Sequence, residues 1–385
     1  MAIDFPASPS PGQIYTAPNG VTYTYNGTVW TATGSSGLIT GAPNKLINPF
    51  LEIDQANEGA TLTNTGSVAA YAVDGVKYSS SAGVGTITTV RSSNAPNGYP
   101  NSVQMTVTGT APVVAGTAAS FQLPVEANDL VDTAFGTSSA QSLSLSIWLR
   151  TNPAGVFSVS LRNAATNRSY VFTVNVSSAL IWQNFTQIVP GDTTGTWIEG
   201  TNAIGMYLDI TPVGGSTYQT SALNSWQAGN FLAASSATNN FSNSSGATFQ
   251  LGPAGLWVAP AAQPLLRTSF QAELARCQRY YQKSYDLGTA VGTSTGTGAV
   301  GLIMSGASFG NSGSCIPFAV KMRAGPTVTL YSQTGASGKI RDFISNVDVT
   351  GNVSNSGQGS FDYAAAPSVA GAILYGFHWT ADARL

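Results

Sequence analysis

Charge is what this sequence has least of. Its 385 residues include 15 Lys and Arg and 17 Asp and Glu, 8% in all, where ordinary soluble domains carry about a quarter. A net charge of −2 excludes the clustered basic surface that nucleic-acid binding usually needs. Histidine occurs once, as His378, so a His-based triad or a two-His metal site would have to be built around that one residue. Its setting, Phe377-His378-Trp379, suits packing better. Cysteine is limited to Cys277 and Cys315, read as free thiols of a chain made in a reducing cytosol. No run of about 18 apolar residues exists, so no membrane insertion is expected. The opening Met1-Ala2-Ile3-Asp4-Phe5-Pro6 lacks the basic and apolar regions of a signal peptide.

Apolar residues make up 43% of the chain, and 16 Phe, 15 Tyr and 7 Trp outnumber the charged side chains. Disorder requires the reverse balance, so the composition describes a folded, β-rich protein. An uncharged β-surface on a chain made without export favours a component of a virion or other large assembly over a metabolic enzyme.

The expected fold class is mainly β, in five segments. Residues 1–34 carry three short strands, at Gln13–Ala17, Val21–Tyr25 and Thr28–Thr31, turned by Pro18-Asn19-Gly20 and Asn26-Gly27. Asn-Gly supplies the positive φ of a tight hairpin, giving a β-meander. Its alternating Tyr15, Tyr23, Tyr25 and Trp30 form an aromatic face fit to anchor it on a partner. Residues 35–44 form a linker that the Gly/Ser-rich stretch Thr33–Gly37 introduces. Residues 45–266 show short alternating strands without intervening helices, the pattern of a β-sandwich or jelly roll. Residues 267–288 place Phe270, Leu274, Cys277, Tyr281 and Tyr285 on one helical stripe, with Thr268 or Ser269 as cap and Glu273 in the first turn. Residues 289–385 return to strands, among them Pro317–Met322, as a C-terminal β-sandwich knob.

Motifs of catalysis and cofactor binding are weak. Gly296-Thr297-Gly298-Ala299-Val300-Gly301 matches a dinucleotide fingerprint but is followed by a β-run rather than a helix, so no cofactor is expected. Glu52-Ile53-Asp54 would point two carboxylates to one side of a strand, which suits a turn or a Ca²⁺ site alike. The close acids Glu126 and Asp129 define no glycosidase pair across a cleft. Trp148, Trp182, Trp197 and Trp226 are candidate platforms for stacking sugar rings, with core packing as the competing reading for each. The loops Ser332–Gly335 and Asn352–Gln358 offer polar groups suited to uncharged sugar hydroxyls, or an inert solvated surface.

Several segments form an ordered pattern. Asn44-Lys45-Leu46-Ile47-Asn48-Pro49-Phe50-Leu51-Glu52-Ile53-Asp54-Gln55, followed by Tyr71-Ala72-Val73-Asp74-Gly75, resembles the opening of a domain common in tail or fibre proteins of tailed bacteriophages. The likeness continues through Ala134–Thr137, Ser146–Arg150, Leu161–Asn163, Asn167–Tyr170, Pro190–Trp197, Trp226–Asn230 and Glu273–Tyr281. Asp4–Trp30 looks like a short N-terminal segment of phage appendage proteins, and the C-terminal part looks like their terminal knobs. One departure is Asp74-Gly75-Val76, where the family pattern has Asp-Arg-Trp.

The resemblance implies a structural virion protein: a tail or head fibre with a carbohydrate-binding-module-like jelly roll, host-glycan binding and no transferable catalytic residues. It implies partnership with other phage structural proteins through residues 1–34, localisation in the virion and a homotrimer. The trimer would be organised by Phe270, Leu274, Cys277, Tyr280 and Tyr281 of the helix, unless the helix packs on its own subunit. A polysaccharide-degrading tailspike enzyme is the alternative.

Overall fold

Alternating side chains and frequent Gly, Asn and Pro turns yield strands nearly throughout the computed structural model, which describes residues 5–16, 22–32, 42–304, 315–365 and 373–385. The chain is mainly β and divides into two units, Met1–Pro43 and Asn44–Leu385.

In the first unit, β1 (Ile14–Thr16), β2 (Thr22–Tyr25) and β3 (Trp30–Ala32) form an antiparallel sheet in that order. Asn26 closes the second turn by accepting the amides of Thr28 and Val29 through its side chain. That capture delays the third strand to Trp30, two residues later than its β-propensity predicts. Tyr15 pairs with Tyr23 and Tyr25 with Trp30 across the strands. Phe5 stacks on Trp30 at 5.3 Å and meets Tyr15 and Tyr23 edge-on, so the aromatic face has a cover from its own chain. The expected Pro18–Gly20 turn and the Thr33–Gly37 linker lie outside the described residues.

The second unit begins with a jelly roll. Its strands are β4 (Leu62–Thr65), β5 (Val68–Val73), β6 (Val76–Ser80), β7 (Thr86–Ser92), β8 (Ser102–Gly109), β9 (Ala118–Glu126), β10 (Leu143–Asn152), β11 (Gly155–Asn163) and β12 (Arg168–Val176). They continue with β13 (Gln183–Val189), β14 (Ile204–Gly214), β15 (Gln219–Thr220), β16 (Trp226–Ala228), β17 (Ala233–Ala234) and β18 (Thr248–Val258). One sheet runs β13-β10-β18-β8-β7-β4 and the other β16-β12-β11-β14-β9-β6-β5. Leu143, Leu145, Ile147 and Leu149 of one sheet join Phe121, Val159, Leu161 and Leu208 of the other in a shared core. The residues that alternate with these along each strand face outward, and the sequence makes many of them Ser, Thr, Gln or Arg.

A nine-residue helix, α1 (Phe270–Gln278), follows, with Ser269 as its cap. The predicted helix through residue 288 is corrected: Tyr281–Lys283 forms β19, paired with the last strand of the chain. Two tyrosines compete for burial there. Tyr280 bonds Glu126 on the jelly roll, whereas Tyr281 packs on Arg384, and a continuing helix could not satisfy both. Phe270, expected in the apolar stripe, is 45% exposed. Leu274, Cys277 and Tyr280 are buried against Ile47, Ile53 and Leu385 of the same chain.

The remaining strands are β20 (Val300–Met304), β21 (Cys315–Pro317), β22 (Thr327–Ser332), β23 (Lys339–Asp342), β24 (Val347–Ser354), β25 (Ser360–Ala365) and β26 (Ile373–Asp382). The long β26 pairs with β19, β20, β22 and β23. Phe318, Phe361, Phe377 and Trp379 lie in a second core. The predicted strand Pro317–Met322 is corrected too. It ends at Pro317, and Phe318–Met322 is irregular, with Phe318 and Met322 inserted into that core.

Candidate functional site

The outer face of the seven-stranded sheet is half covered and half open. Residues 216–240 fold over β11 and β12, held by hydroxyls that strand alternation turns outward. The Ser158 hydroxyl accepts the Ala234 amide, and Ser169 donates to the Gly229 carbonyl while accepting the Phe231 amide. The uncovered half is a cleft of about 320 Å³, floored by β6, β9, β11 and β14 and walled by Tyr218, Asn230 and Leu232.

The floor is organised around one buried ion pair. Arg162 donates from Nε and Nη2 to Asp209 at 2.9 and 2.8 Å, and from Nη1 to the Asn230 side chain at 2.6 Å. Asp209 is fully buried and also accepts from Ser120 and Gln122. A buried charge without partners is prohibitively costly, so this four-donor cage fixes the Arg162 fork in one orientation. The Arg162 guanidinium lies 5.4 Å from the centre of the Tyr207 ring. Burial pushes the Tyr207 hydroxyl up, with Arg162 opposing, so it remains a neutral phenol that can donate and accept. Gln122, its amide nitrogen given to Asp209, lines the cleft. The result is a preorganised set of neutral hydrogen-bonding groups beside an aromatic ring, chemistry suited to sugar hydroxyls and ring faces. Asp209 is the one carboxylate among the described residues lining the cleft.

Few of the residues singled out by sequence line this cleft. The four tryptophans divide into two pairs elsewhere. Trp197 and Trp226 meet edge-to-face at 5.4 Å, pack with Phe135 against the main core, and donate to Asp192 and the Pro190 carbonyl. Trp148 and Trp182 lie over Gly252 on the other sheet, where a Cβ would come within 2.9–3.0 Å of both. Tyr99, itself stacked on Phe50, adjoins Trp148, and Trp182 donates to Asn94. In the C-terminal loops, Ser332 and Thr334 are bound to Asp348.

Glu52 and Asp54 serve different partners: Glu52 pairs with Arg267, while Asp54 accepts the amides of Asn57 and Gly59. Among the described residues no three His, Cys, Asp or Glu side chains gather as a metal cluster. His378 is fully buried and stacked on Tyr285 at 3.9 Å. Its Nε2 donates to the Thr295 carbonyl, and its Nδ1 accepts from Ser284. The Gly296–Gly301 match leads into β20 with no helix.

The sequence carries part of the signal for the cleft residues, though not the pairing of their strands. Ser-Phe-Gln at 120–122, Ser-Val-Ser-Leu-Arg at 158–162 and Tyr-Leu-Asp at 207–209 all alternate polar with apolar. In a chain so poor in charge, Arg162 and Asp209 on alternating strands are the signal of a pair.

No protein-family model matches this chain, and no curated protein sequence matches it. Among solved structures it is similar to an enzymatically active domain of tailspike protein 4 of bacteriophage CBA120. Identity there is 10% and the TM-score 0.28, over 48% of this chain and 20% of that one. It is also similar to TmCBM61, solved with β-1,4-galactotriose, at 11% identity and a TM-score of 0.27 over 57% of this chain and 100% of that one. The CBM22-1 xylan-binding domain of Paenibacillus barcinonensis Xyn10C is similar at 12% identity and a TM-score of 0.25, over 54% of this chain and 99% of that one. Likenesses at this level assign neither ligand nor activity.

Proposed function

We propose that the jelly roll is a non-catalytic glycan-binding module carried by a fibre of a tailed bacteriophage. The observation that carries glycan binding is the cleft itself: Gln122, Tyr207 and Asn230 are held open around the buried Arg162–Asp209 pair. The same pair speaks for a non-catalytic role. Glycoside hydrolysis uses two carboxylates roughly 5–9 Å apart, whereas the described cleft lining holds Asp209, whose oxygens are already taken by Arg162, Ser120 and Gln122.

The phage assignment rests on the ordered resemblance running from Asn44 to Tyr281. In this reading the three-stranded unit docks on the virion, on tail or head, through the open edges of β1 and β3 and the faces bearing Ile14 and Val29, which are 67% and 53% exposed. A homotrimer belongs to the same reading, but its contacts would lie outside Leu274, Cys277 and Tyr280, which are buried within one chain.

A glycan array followed by titration calorimetry tests the module. The wild type should bind a saccharide without releasing new reducing ends, and Tyr207→Ala or Gln122→Ala should weaken binding about tenfold or more, the worth of one or two hydrogen bonds. Unchanged binding in both variants would remove the cleft as the site, and new reducing ends would favour the tailspike enzyme.

A further inference from the structure

The row of outward-facing residues that floors the cleft does not end at Gln122. Backbone register aligns Ser160, Asp209, Gln122, Lys77 and Tyr71 in one row across β11, β14, β9, β6 and β5. With strands about 4.8 Å apart, Lys77 stands roughly 10 Å from Asp209 on the same face. Beyond it the row passes to the C-terminal β-structure. The Tyr71 ring lies under the Arg384 guanidinium at 4.5 Å, and Arg384 lies over Tyr281 at 4.7 Å. Tyr281 and Arg384 line a second, polar groove of about 500 Å³ with Thr329, Tyr331 and Asp382. Lys77 and Tyr71 thus stand on the stretch of sheet between the cleft at Gln122 and the groove at Arg384.

Cations outnumber carboxylates there: Arg384, Arg323 and Lys77 stand near Asp382 and Asp74, and burial pushes the Asp74 pKa up to about 7. Arg384 is matched by Asp382, which accepts from both Nε and Nη2. Arg323, close by, donates to the carbonyls of Ala383 and Asn202. Lys77 is half-buried, its ammonium 5.2 Å from the centre of the Tyr71 ring, and no ion pair or hydrogen bond joins it to another described residue. Burial and the two neighbouring guanidiniums push its pKa down, against the pull of Asp382. A half-desolvated cation that makes no ion pair with a described residue gains most from an incoming anion.

We infer that one saccharide track runs from the cleft to the groove and that Lys77, which stands between them, receives an anionic oxygen group of the glycan, a uronate carboxylate or a phosphodiester. This rests on the cleft being the glycan site and adds the class of ligand to it.

Calorimetry on the full chain with oligogalacturonate, its methyl ester and a polyglycerol phosphate of similar length tests the inference. One of the two anionic probes should bind about tenfold more tightly than the neutral ester, in line with a charge-assisted hydrogen bond, and salt should weaken it. Whichever anion gains identifies the source. Lys77→Gln should abolish the gain while leaving ester binding unchanged, and Lys77→Arg should restore it. Equal binding of all three probes, no binding of any, or a gain that survives Lys77→Gln would overturn the role of Lys77. Failure of the cleft reading looks different, because Tyr207→Ala would then leave every affinity unchanged.

Discussion

Asp74 shows how one side chain can tie stability to pH. It is enclosed where the jelly roll meets α1 and β26, and one carboxylate oxygen accepts the amide and the side-chain nitrogen of Gln55. Burial pushes its pKa up to about 7, with the Gln55 amide and Arg384 pulling the other way. An unfolded aspartate titrates near 3.9. Between those values the native chain keeps a proton that the unfolded chain has released, so this group lowers stability as pH rises from about 4 to 7 and no further above that. Asp74→Asn removes the dependence. In urea unfolding the variant should gain on the wild type by on the order of 3 kcal/mol between pH 4 and pH 8. Asp54 shifts the same way and Glu126 and Asp192 the opposite way, but all three are common to both proteins and cancel in the comparison. A pH-independent difference would refute the assignment.

The elements show what the sequence made legible and what it hid. The start of α1 was legible because Ser269 and Glu273 are local signals: Ser269 accepts the Ala272 amide, and Glu273 reaches the Asn48 amide. Its end was not, because Tyr280 and Tyr281 answer to partners more than 100 residues away in sequence. The ordered motifs were legible as a resemblance, and much of what they build is a joint. Asn48 bonds the backbone of Ile53 and Asp74, Arg276 donates to the Asn44 and Leu46 carbonyls, and Arg279 pairs with Glu126. Gly75 belongs there as well, since its φ is +79° and a Cβ would stand 2.7 Å from the Ile47 carbonyl oxygen. An arginine at that position would not fit this backbone. The cleft stayed hidden because its members are single outward residues on four strands, and pairing strands is a long-range fact. The stripe itself can be tested by denaturation. Leu274→Ala should cost about 2–4 kcal/mol as a buried truncation and Ser269→Ala about 1 kcal/mol as a lost cap. Phe270→Ser, exposed, should stay within about 0.5 kcal/mol. A large loss at Phe270 would mean that its face is covered in solution, as a helix-centred trimer requires.

At the scale of the whole molecule, the question is where the chain can be cut. Sequence composition draws a boundary at residue 266, between jelly roll and helix, but the second unit runs from Asn44 to Leu385. Ending the chain at 266 would strip Leu274, Cys277, Tyr280 and Leu385 from Ile47 and Ile53, exposing apolar surface. It would also remove Arg279 and Tyr280 from Glu126, and Lys283 from Glu58, and open both carboxylates to water. Because the cut also opens these carboxylates to water, each lost pair is worth about 1 kcal/mol at most, and the larger loss is the apolar cover over Ile47 and Ile53, about 1.5–3 kcal/mol for each side chain laid bare. Starting the chain after residue 43 removes nothing from the second unit's own cores. Two truncations therefore make opposite predictions. A chain of residues 44–385 should melt cooperatively close to the full-length protein and keep its saccharide affinity. A chain of residues 44–266 should melt at least 10 °C lower, given about 2–4 °C per kcal/mol for a domain of this size, or aggregate on expression. Calorimetric scans of both fragments decide the matter. Equal melting temperatures for 44–266 and 44–385 would make the joint a loose contact and return the boundary to residue 266.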